Sequence, residues 1–255
     1  MGQAFLNLSE DDRLFLSRIE DLFAVSRNRN IAKFSHFLDE RQTYLAQGLA
    51  ARQPERYRFF GGYGDAQRMM LGVFPDYLEP DEDLFPFSAV TALFRKEDSL
   101  SHRDVLGALM SLRIKREAVG DLLVEPGRAV LFLEDSVAPL VLGEIQKIGR
   151  VGVKLFPGFQ DPLPKGMRFL EITGTVASLR LDAVTSMATG QSREKSQTLI
   201  QSGAVSVNYM EQQNGSFPLK AGDVLRIRGY GKFLLGDQMR QTKKDRLFIT
   251  LKKYV

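Results

Sequence analysis

The sequence predicts an α+β protein built from more than one compact unit. Segments with apolar residues three and four apart, which are typical of helices, alternate with short runs rich in Val, Ile and Phe, which are typical of strands. The 255 residues are 44% apolar, which is enough for several hydrophobic cores and unlike disordered proteins. We predict an N-terminal helical and α/β region (1–78), a central domain (79–160), a linker with a lead-in strand (161–177) and a C-terminal domain (178–255).

The N-terminal region begins with two predicted helices. Apolar residues recur at helical spacing over 14–23, and Ser9 is a suitable N-cap before an acidic first turn. A second apolar stripe, over 31–45, predicts a second helix that packs on the first as a hairpin. A strand is predicted further on, at 68–74.

Arginines alternate with aromatic residues between that helix pair and the strand. Arginine and aromatic side chains both stack on nucleic-acid bases, so the segment is either an RNA-binding surface, additional to the one predicted below for the C-terminal domain, or a set of buried aromatic residues with solvated charges between them. The sequence favours the second interpretation and leaves the first open. The residues concerned are Arg52, Arg56, Tyr57, Arg58, Phe59, Tyr63 and Arg68.

The central domain shows the element order βαββαβ, with helices capped by Ser101 and Ser136. This order is that of ferredoxin-like domains, which include RNA-recognition modules. Those modules stack bases on a strand of the form K/R-G-F/Y-G/A-F-V-x-F/Y, and the corresponding strand here, RAVLFLE, lacks this pattern. We therefore interpret the central domain as an RRM-like structural platform. Its strands are predicted at 88–94, 122–124, 129–133 and 151–156.

The function is expected to lie in the C-terminal domain, where two short helices precede two strands. The first helix is predicted to begin after Ser178 and to end at Gly190, and the second is capped by Ser192 and ends at Gly203. A strand follows. In the next strand, near 225–228, apolar residues alternate with arginines, so one face is apolar and the other basic.

Positive charge is concentrated in this last third of the chain. Residues 171–255 contain 13 Lys and Arg and 7 Asp and Glu, a net charge of +6, whereas the whole chain carries +4. A helix N-terminus favours phosphate through its free N–H groups and its dipole, and basic residues stand at both predicted helix starts. We therefore predict a site for the phosphates of a kinked RNA backbone. Its predicted contacts are Arg180, Ser192, Arg193, Lys195, Arg226, Arg228 and Lys232.

Four motifs in this stretch resemble the S4 RNA-binding domain, which is also called the αL motif. They are RLD at 180–182, SREKSQTLI at 192–200, SGAVSVN at 202–208 and KAGDVLRIRGYGKF at 220–233. The S4 pattern has an R-L-D helix, an S-R helix that ends L-I-x-x-G, a V-x-V-N strand and a G-D-x-I-x-V-R-G strand. The sequence departs from this pattern at Tyr209, where glycine often follows Asn, and at Ser196, where a small apolar residue is common.

Over nearly its whole length the chain resembles the YlmH-type RNA-binding proteins of bacteria and plastids. The resemblance extends to the segments FFGGYGDAQRMMLGVFPDY and SHRDVLGALMSLRIKREAVGDLLV, which precede the S4 motifs. It implies a three-part protein that binds rRNA and tRNA on the large ribosomal subunit. It also implies a role in ribosome-associated quality control, on subunits that still carry peptidyl-tRNA, with links to cell division. We expect a monomer without a cofactor.

Two other interpretations remain open. RLDAVTS at 180–186 partly matches the R-L-D-x-x-T-S-G loop of pseudouridine synthases, with Asp182 in the place of the nucleophile and Met187 in the place of glycine. Those enzymes carry the loop in a separate catalytic domain, whereas here it overlaps the first S4 helix. We therefore interpret Asp182 as the partner of a nearby arginine and the protein as non-enzymatic. The second alternative is a cell-division adaptor in which the S4 fold is only a scaffold.

Composition excludes several other classes of protein. Cysteine is absent and there are only two histidines, so neither a disulfide framework nor a thiolate or histidine-rich metal site is expected. No run of about 18 apolar residues is present, which argues against a membrane span. The N-terminus lacks the basic and apolar regions of a secretory signal, so we expect a cytoplasmic protein.

Overall fold

The structure, a computed structural model, describes residues 8–165, 169–237, 239–242 and 245–254 and confirms a mixed α+β fold. The chain divides into two compact units, Met1–Gly166 and Met167–Val255. The predicted boundary between residues 78 and 79 falls within the first unit, and the division of that unit into two domains stays a prediction. Within the described residues, no helix is long and apolar enough to cross a membrane.

Helices and strands of the first unit follow one another irregularly along the chain. Its described helices are α1 (Glu10–Arg29), α2 (Glu40–Ala50), α3 (His102–Ser111) and α4 (Ala138–Glu144). Its described strands are β1 (Lys33–Phe34), β2 (Arg56–Phe60), β3 (Met70–Phe74), β4 (Phe87–Leu93), β5 (Val119–Glu125), β6 (Arg128–Glu134), β7 (Lys147–Ile148), β8 (Val151–Gly152) and β9 (Lys154–Pro157). Single turns of 3₁₀ helix lie at Glu82–Leu84 and Arg116–Ala118.

Helix α1 begins where the sequence predicts, at a capping box formed by Ser9 and Asp12. The Ser9 hydroxyl accepts a hydrogen bond from the Asp12 N–H at 3.1 Å, and the Asp12 carboxylate accepts one from the Ser9 N–H at 3.0 Å. The same carboxylate binds the Arg41 guanidinium of α2, with 2.6 Å between Oδ2 and Nη2. Asp12 therefore caps one helix and fastens it to the next.

The second predicted helix is wrong over its first half. Residues 31–39 are not helical: Lys33 and Phe34 form β1, which pairs with β3, and α2 begins only at Glu40. In the extended conformation the Phe34 ring lies edge-on to Phe74, with 5.6 Å between ring centres, and to Phe85, with 5.2 Å. These partners are distant in sequence, so helical spacing alone did not reveal them.

The central sheet has the predicted βαββαβ order, but the predicted last strand, at 151–156, is wrong over its first residues. Val151 and Gly152 form β8, which pairs with β7 in a separate two-stranded sheet, and β9 of the central sheet begins at Lys154. Its strands lie in the order β5-β6-β4-β9 with antiparallel neighbours, as in a ferredoxin-like sheet. Helix α3 begins at the predicted capping box of Ser101 and Asp104. Helix α4 begins at Ala138 without a side-chain cap, because Ser136 donates to Glu134 in the turn after β6.

Both faces of this central sheet are buried. Along β6, Leu131 and Leu133 pack against α3 and α4, whereas Val130 and Phe132 point to the opposite face, since successive strand residues alternate. RNA-recognition modules stack bases on that opposite face. Here it is covered by the N-terminal region, and Phe132 is only 1% exposed. The covering side chains include Phe37, Met70 and Phe74 of the N-terminal region and Phe85, which precedes β4.

The second unit is an antiparallel sheet with two helices on one face. Its described helices are α5 (Leu181–Thr189) and α6 (Arg193–Gln201). Its described strands are β10 (Phe169–Val176), β11 (Val205–Val207), β12 (Met210–Glu211), β13 (Val224–Ile227), β14 (Gly231–Leu235), β15 (Arg240–Gln241) and β16 (Leu247–Tyr254). The strands lie in the order β10-β16-β14-β13-β11-β12, with β15 beside β16.

The predicted lead-in strand is β10, and it belongs to this sheet because it pairs with β16 over its whole length. Its predicted first residue, Arg168, lies outside the described residues. The core lies between the sheet and the helices, where buried Leu225 and Phe233 meet Leu181 and Ile200. The other face of the sheet lies outside this core.

Candidate nucleic-acid interface

Helix α5 begins at Leu181, with Arg180 in the N-cap position. The predicted start after Ser178 is wrong, because main-chain carbonyls of a neighbouring loop, and not the Ser178 side chain, accept hydrogen bonds from the first N–H groups of the helix. The N–H groups of Leu181 and Asp182 each donate to a carbonyl of the segment 215–217, at 2.9 Å. Arg180 therefore stands directly at the helix N-terminus.

The link between α5 and α6 is short and has the predicted ends. Gly190 ends α5 in the left-handed conformation, with a φ of +67°. The Ser192 hydroxyl caps α6 by accepting a hydrogen bond from the Lys195 N–H at 3.3 Å. As a result, Arg193 in the first turn of α6 reaches the start of α5.

Asp182 joins the two helix starts. Its Oδ2 accepts hydrogen bonds from Nη2 of Arg180 at 3.0 Å and from Nη2 of Arg193 at 3.2 Å. The Ala183 N–H donates to Oδ1 at 2.8 Å. Burial raises the pKa of Asp182, but the hydrogen bonds and charges of the two arginines outweigh burial and lower that pKa below its usual value. The carboxylate is therefore charged at neutral pH.

The two arginines keep donors available for a ligand. A guanidinium group carries five N–H donors in a flat fork, and one shared carboxylate uses only some of them. The side chains of Arg180 and Arg193 are 43% and 56% exposed. Two cations on one anion leave a net positive charge, and the carboxylate holds both forks in defined positions. Such an arrangement suits the phosphates of a nucleic-acid backbone.

The remaining predicted contacts belong to the strands. In β13, Leu225 and Ile227 are buried whereas Arg226 is exposed, as the alternation predicts. Lys232 of β14 is the direct cross-strand partner of Arg226. Arg228 follows β13 and is also exposed.

The structure therefore sorts the predicted contacts into two groups. The helix group, at the junction of α5 and α6, consists of Arg180, Ser192, Arg193 and Lys195. The strand group, on or beside β13 and β14, consists of Arg226, Arg228 and Lys232. Over the described part of the chain, Lys195, Arg226 and Arg228 make no ion pair, unlike the two arginines at Asp182. That either group contacts RNA stays a prediction.

Lys232 lies beside two tyrosine rings. Its Nζ is 4.2 Å from the centre of the Tyr254 ring and 5.5 Å from that of Tyr209. Tyr209 follows Asn208 in a two-residue hairpin turn, and their φ angles are positive, at +66° and +47°. The Asn208 side chain holds this turn by donating to Asp223 at 2.8 Å. The turn thus forms with tyrosine where the S4 pattern often has glycine.

Sequence reasoning missed two aromatic residues that accompany the strand group. Phe169 begins β10 and Tyr254 ends β16, and the two are direct cross-strand partners. The alternation in LFITLKKY, at 247–254, predicts a strand with one buried face. Only the pairing register brings the exposed face of that strand next to Lys232.

Several of the arginine and aromatic residues of the N-terminal region make contacts within the protein. Tyr63 stacks on Phe132, with 5.4 Å between ring centres. Arg68 donates hydrogen bonds to main-chain carbonyls. Arg56 and Arg58 are exposed, but each pairs with a glutamate. These contacts fit the packing interpretation, and a second RNA surface in this region stays a prediction.

Comparison with known proteins identifies relatives along the whole chain. A family profile described as a putative RNA-binding domain in YlmH matches residues 89–158. A Bacillus subtilis (strain 168) protein named ribosome-associated protein quality control protein P2 is 31% identical over 255 residues, and the match covers 99% of each chain. The solved structure of cell division protein ylmH from Streptococcus pneumoniae, at 24% identity and a TM-score of 0.52, covers 60% of this chain and 94% of that chain and shows a similar fold.

The family profile bears on the central domain. Its description as a putative RNA-binding domain points away from our interpretation of that domain as a structural platform, although the usual base-stacking face is covered here. The platform role therefore stays a prediction.

At the level of the whole chain, 31% identity over nearly the full length of both proteins establishes common descent. This chain belongs to the YlmH family.

Proposed function

We propose that this protein is a non-enzymatic RNA-binding protein that acts in ribosome-associated quality control. Its second unit binds structured rRNA or tRNA through the helix group and the strand group, without a cofactor. It does so on the large ribosomal subunit while that subunit carries peptidyl-tRNA, as a cytoplasmic monomer.

The arginine pair on Asp182 is the observation that carries this proposal. Long arginine side chains lose conformational freedom when they bind a phosphate, and that loss weakens binding. Here Asp182 already holds Arg180 and Arg193 by hydrogen bonds of 3.0 to 3.3 Å, so part of the ordering precedes binding. The N-terminus of α6 adds free N–H groups and a favourable dipole at the same place.

Contacts of this kind recognise shape rather than sequence. Phosphate contacts position a protein on its nucleic acid without reading bases, and folded RNA presents its phosphates in shapes that differ from those of a regular duplex. Ribosomal RNA and tRNA are such ligands. The similarity to the Bacillus subtilis protein named for ribosome-associated quality control, over 99% of each chain, supports the ribosomal setting.

The surroundings of Asp182 support a structural role for this residue. Its carboxylate accepts hydrogen bonds from two arginines and from a main-chain N–H, so its oxygens are already engaged. The residue is also only 5% exposed. The relatives are named as ribosome-associated or cell-division proteins rather than as enzymes. These observations favour an RNA-binding protein over a pseudouridine synthase.

Sedimentation of the full-length protein with purified large ribosomal subunits, at a series of salt concentrations, tests the proposal. The double substitution Arg193→Ala and Lys195→Ala removes two cations from the helix group. We expect association at least about tenfold weaker, because charge-assisted hydrogen bonds to phosphate are lost. The slope of log affinity against log salt concentration is expected to become shallower by about 2, since two fewer phosphates are neutralised.

A control variant with the same change of charge comes from α1. Arg13 and Arg18 lie exposed on that helix, and the double substitution Arg13→Ala and Arg18→Ala is expected to bind like the unmodified protein. Unchanged affinity and salt dependence in the helix-group variant would contradict the proposal. An equal loss in both variants would also contradict it, because binding would then follow net charge alone.

A further inference from the structure

We propose that the outer face of the second unit's sheet is a separate contact site for an unpaired RNA base. The base stacks on Phe169, and Arg226 and Lys232 bind the neighbouring phosphates. This inference rests on the proposed function, because it takes RNA as the ligand. It adds single-stranded nucleotides to the structured RNA bound by the helix group.

Strand pairing aligns the residues of this site in one row across the sheet. Arg226 of β13 is the direct partner of Lys232 of β14. The register between β14 and β16, continued by one residue, sets Lys232 opposite Tyr254. Tyr254 is in turn the direct partner of Phe169 in β10. Four adjacent strands thus each contribute one residue, and directly opposed side chains in a sheet lie within contact distance.

The row lies on the face of the sheet that points away from the core. Leu225 and Phe233 belong to the buried core on the helix side. Arg226 and Lys232 are their immediate neighbours along the strands and therefore point to the opposite side. Arg226 is exposed and Phe169 is 44% exposed, so the face is accessible at both ends of the row.

Tyr254 holds the Phe169 ring in place. The two ring centres are 4.9 Å apart and the ring planes meet at 68°, which is an edge-to-face contact. Lys232 contacts the same tyrosine, with 4.2 Å from Nζ to the ring centre. A supported, accessible aromatic ring beside cations is the combination found in single-strand sites, where bases stack on the ring and phosphates meet the cations.

The charges along the row favour an anionic ligand. Like charges directly opposite each other destabilise a sheet, and within the described residues Arg226 has no acidic partner. The acidic residues of the described strands on this face are Glu171, which opposes Lys252 in the neighbouring row, and Glu211. Glu211 stands at the sheet edge opposite Ser206, which separates it from Arg226. An apolar protein partner would bury Arg226 without a counter-charge, whereas an RNA strand supplies phosphates.

Fluorescence anisotropy of the full-length protein tests this site with two labelled RNAs. One is an unpaired strand of about 12 nucleotides, within the usual length of such sites, and the other is a hairpin with the same number of phosphates. Phe169→Ala is expected to weaken binding of the unpaired strand by about tenfold, because one stacked base is lost. Binding of the hairpin is expected to stay unchanged.

Two further variants at the same position separate stacking from folding. Phe169→Leu keeps an apolar side chain but removes the aromatic plane, so we expect it to lose affinity for the unpaired strand as Phe169→Ala does. Phe169→Tyr keeps the plane and is expected to keep the affinity. Leu170→Ala is the matched control, because Leu170 is 55% exposed but points to the other side of β10.

The outcomes distinguish this inference from the proposed function. If Phe169→Leu binds the unpaired strand like the unmodified protein, the stacking site is contradicted, and the proposed function stands as long as the hairpin binds. A loss shared equally by both RNAs contradicts the stacking site as well. If the unmodified protein binds neither RNA nor large ribosomal subunits, the proposed function itself is contradicted.

Discussion

At the scale of single residues, one buried carboxylate sets the geometry of a basic surface. Asp182 brings together two guanidinium groups that would otherwise repel each other and sample many conformations. The pair keeps a net positive charge, so its attraction for phosphate persists. Asp12 has a comparable role in the first unit, because its carboxylate also joins two helices: it takes part in the capping box of α1 and binds Arg41 of α2.

The substitution Asp182→Asn is expected to weaken RNA binding although it makes the protein more positive. The neutral amide cannot hold two guanidinium groups, so Arg180 and Arg193 lose their fixed positions. We expect the second unit to lose about 1–2 kcal/mol of stability, since the arginines are partly solvated. Sedimentation with large ribosomal subunits measures the first effect and urea denaturation the second.

Asp237→Asn is the control for that prediction. It makes the same change of charge at an exposed residue of the second unit and is expected to leave both properties nearly unchanged. If Asp182→Asn binds RNA as tightly as Asp237→Asn does, net charge rather than arginine geometry governs binding.

Asp12 makes the stability of the first unit depend on pH. Hydrogen bonds from Arg41 lower the pKa of Asp12 from 3.8 to about 2, against the opposing effect of burial. A depressed pKa stabilises the folded state above the unfolded pKa, and that stability is lost as pH falls from about 4 to about 2. Asp12→Asn is therefore expected to cost about 2 kcal/mol at pH 7 and much less near pH 3.

Urea denaturation at several pH values checks this expectation. Asp11→Asn serves as the control, because Asp11 is an exposed neighbour in the same helical turn and contributes only a weak helix-dipole effect. A difference between Asp12→Asn and the unmodified protein that stays constant between pH 7 and pH 3 would contradict the assigned pKa shift.

At the scale of elements, the central sheet is notable for having no free face. The helices α3 and α4 cover one side, and aromatic residues of the N-terminal region cover the other. The close approach depends on Gly120 in β5: a Cβ at this position would lie 2.7 Å from the Phe37 ring and 3.0 Å from Cβ of Phe132. The fit leaves no room for a larger residue.

Gly120→Ala is accordingly expected to destabilise the first unit by about 1–3 kcal/mol through overpacking. Gly107→Ala makes the same chemical change in α3, where no atom lies within 4 Å of the new Cβ. That control is expected to stabilise the unit by about 0.5–1 kcal/mol, because alanine favours a helix. Thermal unfolding of both variants measures the two effects, and a stable Gly120→Ala would show that the N-terminal cover is loose.

At the scale of the whole molecule, the C-terminal third of the chain differs from the rest in net charge. Residues 171–255 carry +6 whereas the remaining residues together carry −2, since the chain as a whole carries +4. Among the residues that the structure describes, Lys195, Arg226 and Arg228 are exposed cations that make no ion pair, and all three lie in the second unit. A polyanion is therefore expected to bind to that unit.

The full-length protein is expected to leave the pseudouridine content of rRNA and tRNA unchanged. Asp182 is engaged by two arginines and a main-chain N–H, so it is not poised to attack a nucleotide. Mapping of pseudouridine at single-nucleotide resolution, after incubation with and without the protein, measures the outcome, and a bacterial pseudouridine synthase provides the positive control. A new site that depends on the protein and disappears with Asp182→Asn would overturn the non-enzymatic assignment.

The sequence by itself determined those features that depend on neighbouring residues. The caps at Ser9, Ser101 and Ser192 were predictable because the serine and its partner are three residues apart. The alternation around Arg226 predicted an exposed arginine for the same reason of local geometry. The resemblance to the YlmH family also lay in the sequence, because its motifs are contiguous.

Only the tertiary structure decided which distant segments meet. The extended course of 31–39, the start of α5 without a serine cap and the covered face of the central sheet each depend on partners far away in the chain. The row from Arg226 to Phe169 depends on strand register, which a local pattern does not specify. Burial of these surfaces outweighs local propensity, so the surfaces that we propose to meet RNA became visible only in the folded chain.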